Sequence, residues 1–204
     1  MADVYMLQPR PPFSFDQALV FLRRFPPTLG ERAVVDGAVL GAARLGGQTV
    51  GFRLASEGDV EAPLLCCTVS HGDGEAGSEA GSRAGSLLTR LGDWLGLDDD
   101  LGPFYALAEA DPPFWTLVER MYGYHQVRFF TPFENACWAV LGQRTPISAA
   151  RLAKQRLMER YGGAVDVEGH TLLAFPEPDD LARGESQELR TRQGIDVTES
   201  RRLG

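Results

Sequence analysis

TPFENACWAVLGQRTPISAARLAKQRLMERYGG, from Thr131 to Gly163, reads as two helices joined by a short turn. Thr131 is placed to cap the first helix, Pro132 suits its first position, and Glu134 follows three residues after the cap. That pattern predicts a capping box, in which two orphaned backbone donors are satisfied reciprocally. The apolar residues Phe133, Ala136, Cys137, Trp138, Val140 and Leu141 follow, and Gly142 is positioned to end the helix. Thr145-Pro146 predicts a second start by the same device. Ile147, Ala150, Leu157 and Tyr161 recur at helical spacing, and Gly162-Gly163 ends the run. Between the helices, Gly142-Gln143-Arg144-Thr145 sets a forked cation and an amide beside a helix N-terminus, which favours phosphate. Six basic residues lie between Arg128 and Arg160 against two acidic ones, in a chain of net charge −8. Contact with a polyanion is screened over roughly 10 Å, so this local reversal can outweigh the total. The alternative is a solvated amphipathic helix whose polar face is rich in arginine.

Working outward, Ser14 predicts a capped helix over Phe15 to Phe25, ended by Pro26-Pro27. Residues 32–70 read as antiparallel strands. Val50, Phe52 and Leu54 alternate with Gly51 and Arg53, Leu65, Cys67 and Val69 alternate likewise, and Gly46-Gly47 predicts a hairpin turn. His71 closes the last strand and reads as a surface or capping residue. Residues 1–12 read as a polar lead-in. Residues 72–86, rich in Gly, Ser and Glu, predict a flexible linker. Leu87, Leu88, Leu91, Trp94 and Leu95 then open a helical part. Of Asp98-Asp99-Asp100, Asp98 or Asp99 is expected to cap the next helix rather than hold a metal. Two short helices flank Asp111-Pro112-Pro113, and Asp166 to His170 reads as a polar connection.

These elements define an α+β protein with a β-rich domain at 1–71, a linker at 72–86, a helical domain at 87–182 and a disordered tail at 183–204. The tail carries eight charged residues from Glu185 onward and few large aliphatics. No run reaches the roughly 18 apolar residues of a membrane span, and no signal peptide stands at the start, so a cytoplasmic location is expected. Cys66, Cys67 and Cys137 form no disulfide framework. No metal site or cofactor is expected.

The stretch from Phe133 to Gly163 resembles the core helices of the helix-hairpin-helix DNA glycosylases, closest to the DNA-3-methyladenine glycosylase II type. The resemblance rests on Phe133-Glu134, the apolar run, the Leu141-Gly142-Gln143 turn and the Ala-rich helix ending Tyr161-Gly162. PPFSFDQALVFLRRF near the start and FPEPDDLA from Phe175 to Ala182 resemble further segments of that family, so coverage runs from about Pro11 to Ala182. The resemblance implies a monofunctional hydrolase of base excision repair. It would flip an alkylated purine out of double-stranded DNA and hydrolyse its N-glycosidic bond, as a monomer and without a cofactor. It implies a base pocket touched by Phe21, Trp138 and Gln143. DNA contacts would come from Gln143, Arg144, Thr145 and Arg151, with Arg144 at the wedge position. Packing in the core is the alternative role for Phe21. The sole lysine, Lys154, lies mid-helix, away from where lyase members of the family place a nucleophile. The family's hairpin and catalytic aspartate find no match, because Gln193-Gly194-Ile195-Asp196 lacks the second glycine and the Pro-Trp. No catalytic residue is therefore assigned. An incomplete glycosylase fold, truncated or frame-shifted, is the expectation, with a non-catalytic DNA-binding fragment as the alternative.

Overall fold

The computed structural model of the chain describes residues 3–70 and 78–183. Five antiparallel strands form one sheet: β1 (Asp3–Leu7), β2 (Ala33–Val35), β3 (Ala38–Leu45), β4 (Gln48–Ser56) and β5 (Leu65–Ser70), in the order β1-β5-β4-β3-β2. The β2–β3 and β3–β4 connections are two-residue turns with both central φ angles positive, at Asp36-Gly37 (47° and 73°) and Gly46-Gly47 (58° and 80°). Such turns match the twist of the strands they join. The lead-in expected over residues 1–12 instead contains β1, which pairs from Asp3↔Val69 to Leu7↔Leu65. Its partner lies some sixty residues away, so no local turn announces it.

One face of the sheet packs on helices α1 (Phe15–Leu22) and α2 (Ser78–Leu95). Phe52, Leu54, Cys67 and Val69 from the sheet meet Phe15, Leu19, Leu22, Leu87, Leu91 and Trp94 in one core, with Val127 and Phe130 added from the chain beyond. Each large apolar side chain buried this way contributes roughly 1.5–3 kcal/mol. Phe52 stacks on Phe130 at 5.8 Å and meets Trp94 edge-on at 6.2 Å. The expected boundary between a β domain and a helical domain therefore crosses a continuous core. α2 also takes in residues 78–86 of the expected linker. Ala84, Leu87, Leu91 and Leu95 fall on its buried face, so the helix starts earlier than composition implied. His71 and residues 72–77 of that linker, and residues 184–204 of the expected tail, lie outside the described residues.

The opposite face is covered over β3 and β4 by a second hairpin, β6 (Ala164–Val167) with β7 (His170–Leu173), where the sequence read a polar connection. Val167 and Leu172 pack on Leu40 and Ala42. Gly51 admits this hairpin, since a Cβ there would lie 2.5 Å from Val167 Cγ2. With both faces covered, β3 is buried almost throughout, which hides the alternation normally used to recognise a strand.

Two short helices, α3 (Gly102–Glu109) and α4 (Pro112–Val118), form a satellite cluster around Tyr105, Ala108 and Val118. Asp111 caps α4 by accepting from the Phe114 N–H at 3.2 Å. The expected cap of α3 by Asp98 or Asp99 is not made. Asp100 Oδ1 accepts from the Gly102 N–H at 3.0 Å, and Asp99 holds Arg128 through both oxygens. His125, only 1% exposed, ties Gly96 O to Pro12 O through its two ring nitrogens. The last described element, α7 (Pro178–Ala182), is fastened to the sheet where Asp180 accepts two hydrogen bonds from Arg44, at 3.1 and 3.2 Å.

Candidate nucleic-acid interface

The two helices read from the sequence are α5 (Pro132–Leu141) and α6 (Ile147–Leu157), followed by a wider turn of helix over Met158–Gly162. Thr131 Oγ1 accepts from the Glu134 N–H at 3.0 Å, as expected of the cap. The reciprocal half of the capping box is absent. Glu134 is 1% exposed, and its Oε1 accepts from Lys154 Nζ at 2.6 Å instead. Nor does Thr145 cap α6. Its hydroxyl donates to Gln143 O at 3.0 Å, and Pro146 occupies the position before the helix with no side-chain bond.

The connecting turn stands proud of the molecule. Residues 142–149 are all exposed. Arg144 holds a left-handed backbone, φ 53°, which an arginine rarely adopts. Nothing among the described residues hydrogen-bonds or pairs with the Arg144 guanidinium or the Gln143 amide. A free guanidinium fork and a free amide thus sit together at a protruding tip. Arg151, lower on α6, donates to Leu29 O at 2.9 Å and is half-buried, so it belongs to the foot of the helix pair rather than the tip. Some of the six cations between Arg128 and Arg160 are held internally. Arg128 is clamped by Asp99, and Lys154 by two carboxylates.

Lys154 lies mid-helix on α6, and its partners give it a structural role. Its ammonium is 2.7 and 2.8 Å from the two oxygens of Glu31, 2.6 Å from Glu134 and 3.3 Å from Pro27 O. The rings of Phe129 and Phe175 lie 5.7 and 5.6 Å away. Burial pushes the Glu31 carboxyl up from its ordinary range, against the pull of Lys154 and with the neighbouring Glu134 adding to the rise. A sequence signal for this cluster exists. Ala150, Lys154 and Leu157 recur at helical spacing and all three are buried, so the only lysine of the chain sits in an apolar stripe.

Phe21 is half-buried and stacks on Phe25 at 4.9 Å, with Tyr124 at 6.1 Å. Phe25 in turn meets Phe129 edge-on at 5.5 Å. Trp138, half-buried on α5, is not among the rings touching Phe21. A cavity of about 650 Å³ opens beside the start of α5, between Arg90, Phe129, Thr131, Phe133 and Phe175, and none of Phe21, Trp138 and Gln143 lines it. Among the described residues no group of three or more His, Cys, Asp or Glu could hold a metal ion. Burial, with Cys66 adjacent, pushes the Cys67 thiol up to about 12, which leaves it a core residue.

Known proteins share this architecture. A DNA-3-methyladenine glycosylase of Bacillus subtilis (strain 168) is 34% identical over 91 residues, 45% of this chain and 30% of the relative. The solved 3-methyladenine DNA-glycosylase of Archaeoglobus fulgidus superposes with a TM-score of 0.69 at 18% identity, over 93% of this chain and 61% of that one. The apo 8-oxoguanine glycosylase/lyase of Clostridium acetobutylicum gives 0.55 at 14% identity, over 99% and 66%. No family model matches the chain. The class is thus an α+β DNA-glycosylase fold. Within it, the chain is similar to DNA-3-methyladenine glycosylases, in sequence over 91 residues to one of them and in fold to another. It spans 30% of the curated relative and 61% of the first solved neighbour. No helix among the described residues is long and apolar enough to cross a membrane.

Proposed function

We propose that the chain is the DNA-gripping part of a base-excision-repair glycosylase acting on alkylated purines, working as a cytoplasmic monomer without a cofactor. The observation that carries this reading is the exposed turn, where the Arg144 guanidinium and the Gln143 side-chain amide have no partner among the described residues. An arginine at such a tip has two uses. Its guanidinium pairs with phosphate oxygens, and its length fills the gap left by a flipped base. Gln143 and Thr145 add hydrogen-bonding groups beside it. Phe21 and Trp138 offer aromatic faces on which an extruded base could stack, and Arg151 adds charge lower on α6.

A second reading, a non-catalytic DNA-binding fragment, is favoured by the carboxylates. In the helix pair Glu134 is committed to Lys154, and in the β6–β7 turn Asp166 Oδ1 accepts from the Gly169 N–H at 3.0 Å. Buried and held by Lys154, Glu134 is not free to stabilise a departing base. In this division of labour the chain binds and distorts the duplex without hydrolysing it. Two measurements separate the readings: duplex affinity as a function of salt, and release of methylated purine followed by alkaline cleavage at abasic sites. Salt-dependent binding without base release identifies the binding fragment, and release with binding identifies the enzyme. Arg144→Ala should weaken binding to an abasic duplex about tenfold and reduce the log–log salt slope by about 1. Unchanged affinity and slope would remove Arg144 from the interface.

A further inference from the structure

The α5–α6 pair is joined to the rest of the molecule mainly at its foot. The segment Pro27 to Glu31, between α1 and β2, supplies that foot. Lys154 donates to Pro27 O and to both oxygens of Glu31, and Arg151, almost one turn earlier, donates to Leu29 O. Through the same ammonium Lys154 also holds Glu134 of the other helix. One buried cation therefore ties three separate pieces of chain: α6, α5 and the loop leading into the sheet. The side chains of Lys154 and Glu134 are each 1% exposed and that of Glu31 is 14% exposed. Further up, the outer surfaces of both helices are bare: Val140 is 67% exposed and Ile147 58%. The second Glu134 oxygen is buried with no hydrogen-bond partner among the described residues.

We infer that the Glu31–Lys154–Glu134 cluster is the positioning device of the DNA-contacting tip, setting the angle at which the Gln143-Arg144 turn leaves the sheet. The inference rests on the DNA-contact reading of Arg144 only for its consequence, and the foot itself is geometric. An ion cluster suits this role better than apolar packing. Apolar contacts tolerate sliding between helices, whereas an ammonium with three hydrogen-bond donors holds its acceptors to a narrow range of distance and direction. With two carboxylates facing one ammonium, losing Lys154 alone would leave two buried carboxylates facing each other uncompensated. Lys154, Glu31 and Glu134 are positioning residues here, since they lie at the foot and Arg144 at the tip.

The test uses a variant in which the cluster is neutral and nearly isosteric, Glu31→Gln with Glu134→Gln and Lys154→Met. Hydrogen exchange without DNA is read first. Amides of α5 and α6 should exchange at least about tenfold faster than in the parent, with β3, β4 and β5 unchanged. Equal protection of α5 and α6 in variant and parent overturns the inference. Should the triple variant fail to fold, Glu134→Gln alone weakens the tie to α5 and is read in the same way. The second readout is coupling to Arg144 on an abasic duplex. In the parent, Arg144→Ala should cost about tenfold in affinity, and in the triple-variant background no more than about threefold, because the tip no longer points at the backbone. Full additivity of the two changes overturns positioning and leaves only a structural role. A parent that shows no salt-dependent binding refutes the DNA reading, while the exchange measurement still decides whether the cluster fixes the helix pair.

Discussion

Replacing Gly162 by alanine tests how the last β-hairpin and the segment after it are seated on the helices. Gly162 is buried at the end of the turn that follows α6. Its backbone angles suit any residue, so the objection to alanine is space alone. A Cβ there would lie 1.7 Å from Ala174 O and 2.9 Å from Ala174 C. Carbon and oxygen need roughly 3.2 Å, so one backbone must retreat by about 1.5 Å, and close-packed interiors do not absorb that. The retreat strains two bonds that locate this corner: Thr49 Oγ1 to Gly162 O at 3.2 Å and Ala174 N–H to Gly163 O at 3.1 Å. Overpacking against a side chain costs about 1–3 kcal/mol, and each lost hydrogen bond about 1 kcal/mol, so the expected loss is about 3–5 kcal/mol. At about 2–4 °C per kcal/mol for a chain of this size, the melting temperature should fall by about 6–20 °C. Thermal unfolding followed by circular dichroism reads this directly, with the urea midpoint as a second measure. Gly85→Ala is the control. It lies on the exposed side of α2 with nothing within 4 Å of the added carbon. It should stabilise the protein by about 0.5–1 kcal/mol through helix propensity. A Gly162→Ala protein melting within 2 °C of the parent, measurement error being smaller than about 1 °C, would refute the seating of β6–β7 argued here.

Two further outcomes concern pH. Although burial opposes it, the hydrogen bonds and charge of Arg44, with the Glu177 N–H, hold the Asp180 carboxyl below its usual range. Its contribution is therefore present above about pH 4 and is lost as the pH falls through the lowered value. Asp180→Asn should cost about 1.5–3 kcal/mol at neutral pH and flatten the acid limb of a stability profile, and an unchanged acid limb would refute the pairing. Glu31 has the opposite sign. Its raised carboxyl favours the protonated form in the folded state, so that contribution is complete below the ordinary glutamate range and fades as the pH rises through the raised value. Glu31→Gln should remove the decline on the alkaline side of this step, as measured by urea unfolding between about pH 4 and 8, and a profile matching the parent would exclude Glu31 as its source.

Local chemistry made the central helix pair legible. Thr131-Pro132 set its start to the residue, Gly142-Gln143 marked its turn, and Gly46-Gly47 carries the backbone freedom its hairpin requires. These signals work because caps and tight turns are satisfied within four residues. The sequence by itself therefore determined the α+β class, the order of most elements, the glycosylase likeness and the placing of Arg144 at an exposed turn. The tertiary structure decided the rest. β1 is a strand because β5 offers it hydrogen bonds from the far side of the sheet. β6 and β7 form because Gly51 leaves room for Val167. Glu134, legible as a capping residue, turns inward because Lys154 is there to meet it, and Lys154 is tolerated in an apolar stripe because Glu31 arrives from more than a hundred residues away. Local sequence sets which bonds a side chain can make. Which one it makes depends on the partner that packing delivers, and a buried charge follows its partner because leaving it alone costs more than any local cap returns.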